Sequence, residues 1–280
     1  MTGLSHITSQ KPLVLVGCGK MGGAMLKGWL KQGLPADAVW VIDPHVEPAR
    51  NMVPELDPCA FLETAADLPE AIAPSFVVLA VKPQMMEDAV SQLSAVDLSK
   101  SLVLSIAAGK TLTWFEARLG ADKAVVRAMP NTPAAIGMGI TVGCANPHVS
   151  AGQKKTCQQL LSSVGDVDWV KKEGLIDAVT ALSGSGPAYV FHLVETMASA
   201  GEKIGLEPEL AMKLAMRTVI GAGALLDQSG ETASQLRINV TSPNGTTQAA
   251  LDVLMGDNGL NALMTKAIRA AFERSRELAD

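Results

Sequence analysis

The sequence predicts an α/β protein: a doubly wound sheet of parallel strands in the first part of the chain, followed by an all-helical part. Three observations predict it. Residues 12 to about 172 alternate short apolar runs with segments that can form helices. The first run leads directly into a glycine-rich turn, G-x-G-x-x-G at Gly17, Gly19 and Gly22. From residue 173 the strand signal stops and only helical patterns follow, which places the domains at 1–172 and 173–280.

The elements follow in order. The opening "MTGLSHITSQKP" has no basic stretch leading into an apolar run, so it reads as a loose terminus rather than a leader. The candidate strands are "PLVLVG" (12–17), "AVWVID" (38–43), "SFVVLAV" (75–81), "SLVLSIA" (101–107), "AVVRAM" (124–129) and "GITVGCA" (139–145). Several are β-branched, continuous rather than alternating, and bounded by Gly or Pro, the pattern of buried parallel strands. Residues 21–32, 84–95 and 111–119 supply helices between them. Further helices are expected at 173–182, 187–204, 208–227, 231–239, 246–255 and 258–278. Pro187 suits a first helical turn, Gly205 a helix end, and Pro208 the next start.

The segment "LAMKLAMRTVIGAGALL" (210–226) is apolar almost all round, so its helix must be buried on every side. One well-wrapped central helix would satisfy that. In so small a helical domain a partner copy satisfies it better, so a homodimer joined through the helical domains is expected.

Composition narrows the function. The chain of 280 residues is 48% hydrophobic and 18% charged, enough to bury a real core. Its net charge of −5 argues against nucleic acid or an anionic membrane as partner. Residues 210–226 carry Lys213 and Arg217 and fall short of a bilayer span. Cys18, Cys59, Cys144 and Cys157 form no CxxC pair, so neither a metal nor a disulfide framework is expected, and a cytoplasmic location is. The 13 methionines read as core and interface filler, and His192 as a core or interface residue.

The first candidate site is the strand–turn–helix "LVLVGCGKMGGAMLKGWL" (13–30). Gly17 makes the tight turn, Gly19 lets a pyrophosphate approach the backbone, and Gly22 lets helix and strand pack closely. The helix start offers free N–H groups to the phosphates. Asp43 ends the next strand, at the place where a carboxylate accepts hydrogen bonds from the adenosine ribose and repels a 2′-phosphate. No arginine follows it closely; Arg50 is the nearest. This leans toward NADH over NADPH, unless Asp43 only caps the turn with Pro44. The strand ends "AVKPQ" (80–84) and "SIAAGK" (105–110) place small residues where a cofactor would pass. Lys82 there reads as a strand-end lysine orienting the loop as readily as it reads as a functional group, whether general acid or phosphate contact.

The second candidate site is "VTSPNGTT" (240–247), which crowds hydroxyls around a Pro-Asn-Gly turn at a helix start, with no His, Lys, Arg or Cys beside them. It reads as an anion site or as a turn with a Thr cap.

These segments together resemble the pyrroline-5-carboxylate reductase family. The matching stretches are "VGCGKMG" (16–22), "LAVKPQ" (79–84), "SIAAG" (105–109), "RAMPNTPAAIGMG" (127–139), "LIDAVTALSGSGPAYVF" (175–191) and "VTSPNGTTQAAL" (240–251). The resemblance implies a Rossmann-type domain, an all-α dimerisation domain, and a homodimer that often assembles into a ring of dimers. It implies NADPH or NADH as cofactor, touching Val16, Gly17, Cys18, Gly19, Lys20, Met21 and Gly22. Further cofactor contacts are Asp43, then Ala80, Val81, Lys82 and Pro83, and Ile106, Ala107 and Ala108, with Glu173 and Asn239 from the helical domain. A small-molecule substrate would meet Ser242, Gly245, Thr246 and Thr247 at the dimer interface, with Thr247 as the catalytic hydroxyl. The family commonly has Gly-Gly where this chain has Asn244-Gly245, and many relatives carry a small polar residue at Asp43.

Two other functions compete. A β-hydroxyacid dehydrogenase would place a catalytic lysine after its Gly-x-Gly, where this chain has Tyr189 and Val190, leaving no base for an alcohol proton. A nucleotide-bound regulatory protein would bind cofactor without turnover.

Overall fold

A computed structural model describes residues 4–70 and 72–278. The chain divides into two compact units, one formed by Met1–Gly184 with Phe272–Asp280, the other by Ser185–Ala271.

The first is an α/β unit built on eight strands: β1 (Leu13–Val16), β2 (Val39–Ile42), β3 (Phe61–Leu62), β4 (Phe76–Leu79), β5 (Leu102–Ser105), β6 (Ala124–Met129), β7 (Gly139–Ala145) and β8 (Gly165–Trp169). Their order across the sheet is β3-β2-β1-β4-β5-β6-β7-β8. The strands from β3 to β6 run parallel. β1, β4 and β5 are buried at every residue, as their continuous apolar runs require. The helices are α1 (Lys20–Lys31), α2 (Val46–Met52), α3 (Met86–Gln92), α4 (Leu112–Leu119), α5 (Ala151–Leu161) and α6 (Leu175–Val179). Trp29 of α1 is fully buried, and its indole N–H donates to the Leu160 carbonyl at 2.7 Å.

Several expectations need correction. β7 pairs antiparallel with β6, because the stretch between them is too short for the crossover that a parallel pair needs. β8 was not anticipated: Asp166 and Asp168 alternate outward, so this edge strand lacks a continuous apolar run. β3, only two residues long, was missed for want of length. The helices α2 and α5 were also missed, although Ser150 and Gln153 form a capping box at the start of α5. The terminus is not loose: Leu4 and Ile7 are fully buried in the core beside Trp29 and Leu160. Its first three residues lie outside the described residues.

The helix expected at 173–182 is instead the short α6 followed by a π-helical turn, Thr180–Gly184. The Thr180 hydroxyl donates to the Ile176 carbonyl at 2.8 Å, and such back-bonding disturbs a regular helix. Ile176 packs in the same core as Val125 and Phe115, so this stretch belongs to the α/β unit and the compact units divide after Gly184.

The helical unit holds α7 (Gly186–Lys203), α8 (Pro208–Ser229), α9 (Ala233–Asn239), α10 (Thr246–Leu254) and the first part of α11 (Leu260–Glu277), whose end belongs to the α/β unit. Gly205, at φ 103°, closes α7: Leu206 N–H donates to the Gly201 carbonyl and Gly205 N–H to that of Glu202. Pro208 then opens α8. The buried apolar residues of this unit, among those described, are Ala198, Ala211 and Ala215. Leu214, Ile220 and Leu225 are about half exposed in a single copy, so α8 is bare on its own. His192 is exposed and bonds Glu195 at 3.0 Å, so it is not a core residue of the single chain. No helix among the described residues is long and apolar enough to cross a membrane.

Candidate active site

The strands β1, β2, β4 and β5 end at one edge of the sheet, where the strand order reverses between β1 and β4. Backbone bonds lock that edge. Gly17 N–H donates to Ile42 O at 2.8 Å, Ala80 N–H to Val16 O at 2.8 Å, and Ile106 N–H to Leu79 O at 3.1 Å. The predicted residues Val16 to Gly22, Asp43, Ala80 to Pro83 and Ile106 to Ala108 are thereby brought to adjoining strand ends, the usual ligand position in an open α/β sheet.

The three fingerprint glycines have different reasons to be glycine. Gly17 sits at φ 93°, and a Cβ there would meet the Ala80 carbonyl at 2.9 Å. A Cβ on Gly22 would strike the Gly17 carbonyl oxygen. Gly19 is extended and caps α1 without a side-chain bond, and a Cβ there would meet nothing within 4 Å. The protein itself therefore demands glycine at 17 and 22, whereas at 19 an added side chain would meet open space. Lys20 is exposed at the start of α1 and Met21 is half-buried behind it. Lys82 is exposed and leads into the Pro83–Met85 turn. This cradle of small residues, with a helix start that carries no side-chain cap, fits a dinucleotide pyrophosphate.

Asp43 is half-buried and ties the turn together. Its Oδ2 accepts from Cys18 N–H at 2.7 Å and its Oδ1 from His45 N–H at 2.8 Å. Arg50 is held by the Glu47 carboxylate at 2.9 Å and the Pro58 carbonyl at 3.1 Å. The Cys18 thiol is buried, and burial together with the nearby Asp43 charge pushes its pKa from 9.0 to about 11.

Glu173 lies in the α/β unit. Its Oε1 accepts from Leu112 N–H at 2.7 Å, at the start of α4, and from Arg127 Nη1 at 3.0 Å. Arg127 is buried, and Asp177 Oδ1 stands 3.5 Å from its Nη2. Sequence reasoning passed over Arg127, yet the signal was there: one charge inside the apolar run "AVVRAM" needs a buried acid.

In the helical unit, Gly245 caps α10 with no side-chain bond, so the first N–H groups of that helix are not taken by a cap. Asn244 at φ 59° makes the turn before it, as the left-handed tolerance of Asn allows. Thr241 closes α9 instead, its hydroxyl donating to the Arg237 carbonyl at 2.6 Å. Thr247 and Gly245 are half-buried; Ser242 and Thr246 are exposed. Asn239 in α9 bonds Gln235 at 2.8 Å and Glu231 at 2.9 Å. Among the described residues, no three His, Cys, Asp or Glu gather as a metal site.

A dinucleotide cradle on a doubly wound sheet, with a helical unit behind it in the chain, defines a nicotinamide-dependent oxidoreductase. The comparisons make this particular. Residues 12–109 match the family model "NADP oxidoreductase coenzyme F420-dependent", and residues 173–278 match "Pyrroline-5-carboxylate reductase dimerisation". The pyrroline-5-carboxylate reductase of Pseudomonas aeruginosa is 41% identical, over 96% of this chain and 97% of that protein. The solved pyrroline-5-carboxylate reductase of Coxiella burnetii superposes with a TM-score of 0.87 at 33% identity, covering 97% of this chain and 99% of that one. The Plasmodium falciparum pyrroline carboxylate reductase, solved with NADP bound, gives 0.77 at 29% identity, covering 98% and 100%. This chain belongs to the pyrroline-5-carboxylate reductase family. Its helical region is accordingly a dimerisation domain, which explains the bare α8.

Proposed function

We infer that the chain reduces L-1-pyrroline-5-carboxylate to L-proline with NAD(P)H, the last step of proline biosynthesis. The observation that carries this reading beyond family membership is the start of α10: Gly245 leaves the first N–H groups without a side-chain cap.

The substrate carries a carboxylate and a ring C=N. The helix start suits the carboxylate, with the Ser242 hydroxyl and the backbone around Gly245, Thr246 and Thr247 as its donors. The half-buried Thr247 hydroxyl is the group that donates to the ring nitrogen or orients the ring. The imine enters already protonated, so no strong general acid is needed, in keeping with hydroxyls and no His or Lys in this segment. A bound dinucleotide supplies the hydride. The chain's own task is to bind, orient and exclude water. Val16 to Gly22, Asp43, Ala80 to Pro83, Ile106 to Ala108, Glu173 and Asn239 are the residues assigned to hold the dinucleotide.

NADH is the better cofactor on this reading. Asp43 stands directly after β2, the place where doubly wound folds hold an acid against the ribose of a bound dinucleotide, and Arg50 is already engaged by Glu47 and Pro58. The protein works as a homodimer, extended to a ring of dimers as the family resemblance implies, and it acts in the cytoplasm.

The test uses cofactor deuterated at the transferring position. One deuterium at C5 of the proline product supports the reading. Proline without deuterium, or no proline, contradicts it.

A further inference from the structure

Arg127 is 2% exposed, in the middle of a sheet, and its ionic partners do not use up its donors. Nη1 reaches Glu173 at 3.0 Å, and Nη2 stands 3.5 Å from Asp177. Nε and Nη2 are buried with no hydrogen bond. A buried guanidinium held this loosely is poor evidence for a device of stability alone. Its connections run toward the cofactor edge. In the β5–β6 register Arg127 stands opposite Ser105, the residue before Ile106. Glu173 Oε1, which it holds, also accepts Leu112 N–H, where α4 begins directly after the Ile106–Thr111 loop. Asp177, the second acid, accepts from the buried Ser275 hydroxyl of α11 at 2.9 Å.

We propose that Arg127 is a positioning residue for dinucleotide binding: it holds and neutralises Glu173, and through that carboxylate fixes the loop from Ile106 to the start of α4. The proposal rests on the reading that a nicotinamide dinucleotide lies at these strand ends. The buried cation keeps Glu173 from presenting an uncompensated negative charge to an anionic cofactor, and it keeps one carboxylate oxygen committed to the Leu112 N–H. Removing Arg127 leaves Glu173 and Asp177 without the cation they share. Asp177 retains its bond from Ser275, so the disturbance falls on Glu173.

The experiment is a double-mutant cycle on the full-length dimer: wild type, Arg127→Met, Glu173→Gln and the pair together. Dissociation constants for NADH and NADPH are read by nucleotide fluorescence, without turnover. Wild type that binds neither nucleotide sinks the cofactor reading itself. With wild type binding, Arg127→Met is expected to weaken both nucleotides about tenfold, the scale of coupling within one ion-pair network. Adding Glu173→Gln to Arg127→Met is expected to leave binding no weaker than Arg127→Met alone, because the stranded charge is gone and an amide oxygen still accepts from Leu112. At saturating cofactor kcat should change less than the dissociation constant. Should Arg127→Met fail to fold, Arg127→Lys takes its place in the same cycle. Single variants that bind like wild type, or losses that simply multiply in the double variant, overturn the proposal.

Discussion

The Asp43 carboxylate clamps the glycine-rich turn to the end of β2: its Oδ2 accepts the Cys18 N–H at 2.7 Å while its Oδ1 accepts the His45 N–H at 2.8 Å. A residue assigned to cofactor choice is thus also a tie of the loop that receives the phosphates, and the two roles separate experimentally.

Asp43→Ser is expected to move the NADPH/NADH ratio of kcat/KM toward NADPH, because the charge is removed. It should also weaken both cofactors several-fold, because the Cys18 tie is lost, a bond to a charged acceptor on the order of 1 kcal/mol or more. Asp43→Asn should shift the ratio in the same direction with a smaller general loss, since its one amide oxygen keeps one of the two bonds. A ratio unmoved by either change would leave Asp43 as a turn residue only.

The fingerprint glycines should fail in different ways. Gly22→Ala places a methyl against the Gly17 carbonyl, with an expected cost of about 2 kcal/mol in the urea unfolding of the protein without cofactor. Gly19→Ala meets nothing within 4 Å. Its unfolding free energy should stay within about 1 kcal/mol of wild type, while the dinucleotide dissociation constant rises at least about tenfold. Equal stability losses at both sites would refute the division of labour between them.

Thr247→Ala is expected to lower kcat far more than cofactor affinity, measured by steady-state kinetics beside direct nucleotide binding. Equal loss of both would remove Thr247 from the role given to it. At the turn before it, Asn244→Gly should retain activity and stability, because glycine adopts φ 59° without strain. Asn244→Val should cost about 1–2 kcal/mol.

Cys18 sets a pH dependence. Its folded-state pKa lies near 11 against 9.0 for a free thiol, raised first by burial and then by Asp43. The unfolded chain therefore releases this proton before the folded one does. The stabilisation is fully present below pH 9.0 and falls as the pH rises toward about 11. Urea midpoints for wild type should decline over that window more steeply than for Cys18→Ala. Parallel declines would show that Cys18 makes no difference there.

Much of this was legible in the sequence because the relevant physics is local. Buried parallel strands need continuous apolar runs, so β1, β4 and β5 were found within a residue or two. Gly205, Pro208 and Asn244 act on their own backbone, and each does what its residue type allows. What escaped depends on distant partners. β8 is recognisable only beside β7, since its own residues alternate. Leu4 and Ile7 look unremarkable until Trp29 and Leu160 surround them. The Arg127 network joins β6 to α6 and the end of α11, positions far apart in the chain. The bare α8 is the converse case: its all-round apolar pattern signalled a missing partner, and a single copy leaves Leu214, Ile220 and Leu225 open to solvent.

The most direct test of the central claim is absorbance at 340 nm, with purified protein and L-1-pyrroline-5-carboxylate, run in parallel with NADH and with NADPH. Cofactor oxidation that requires the imine, faster with NADH, is the predicted result. No imine-dependent oxidation with either cofactor, from a folded dimer that still binds nucleotide, would contradict the account.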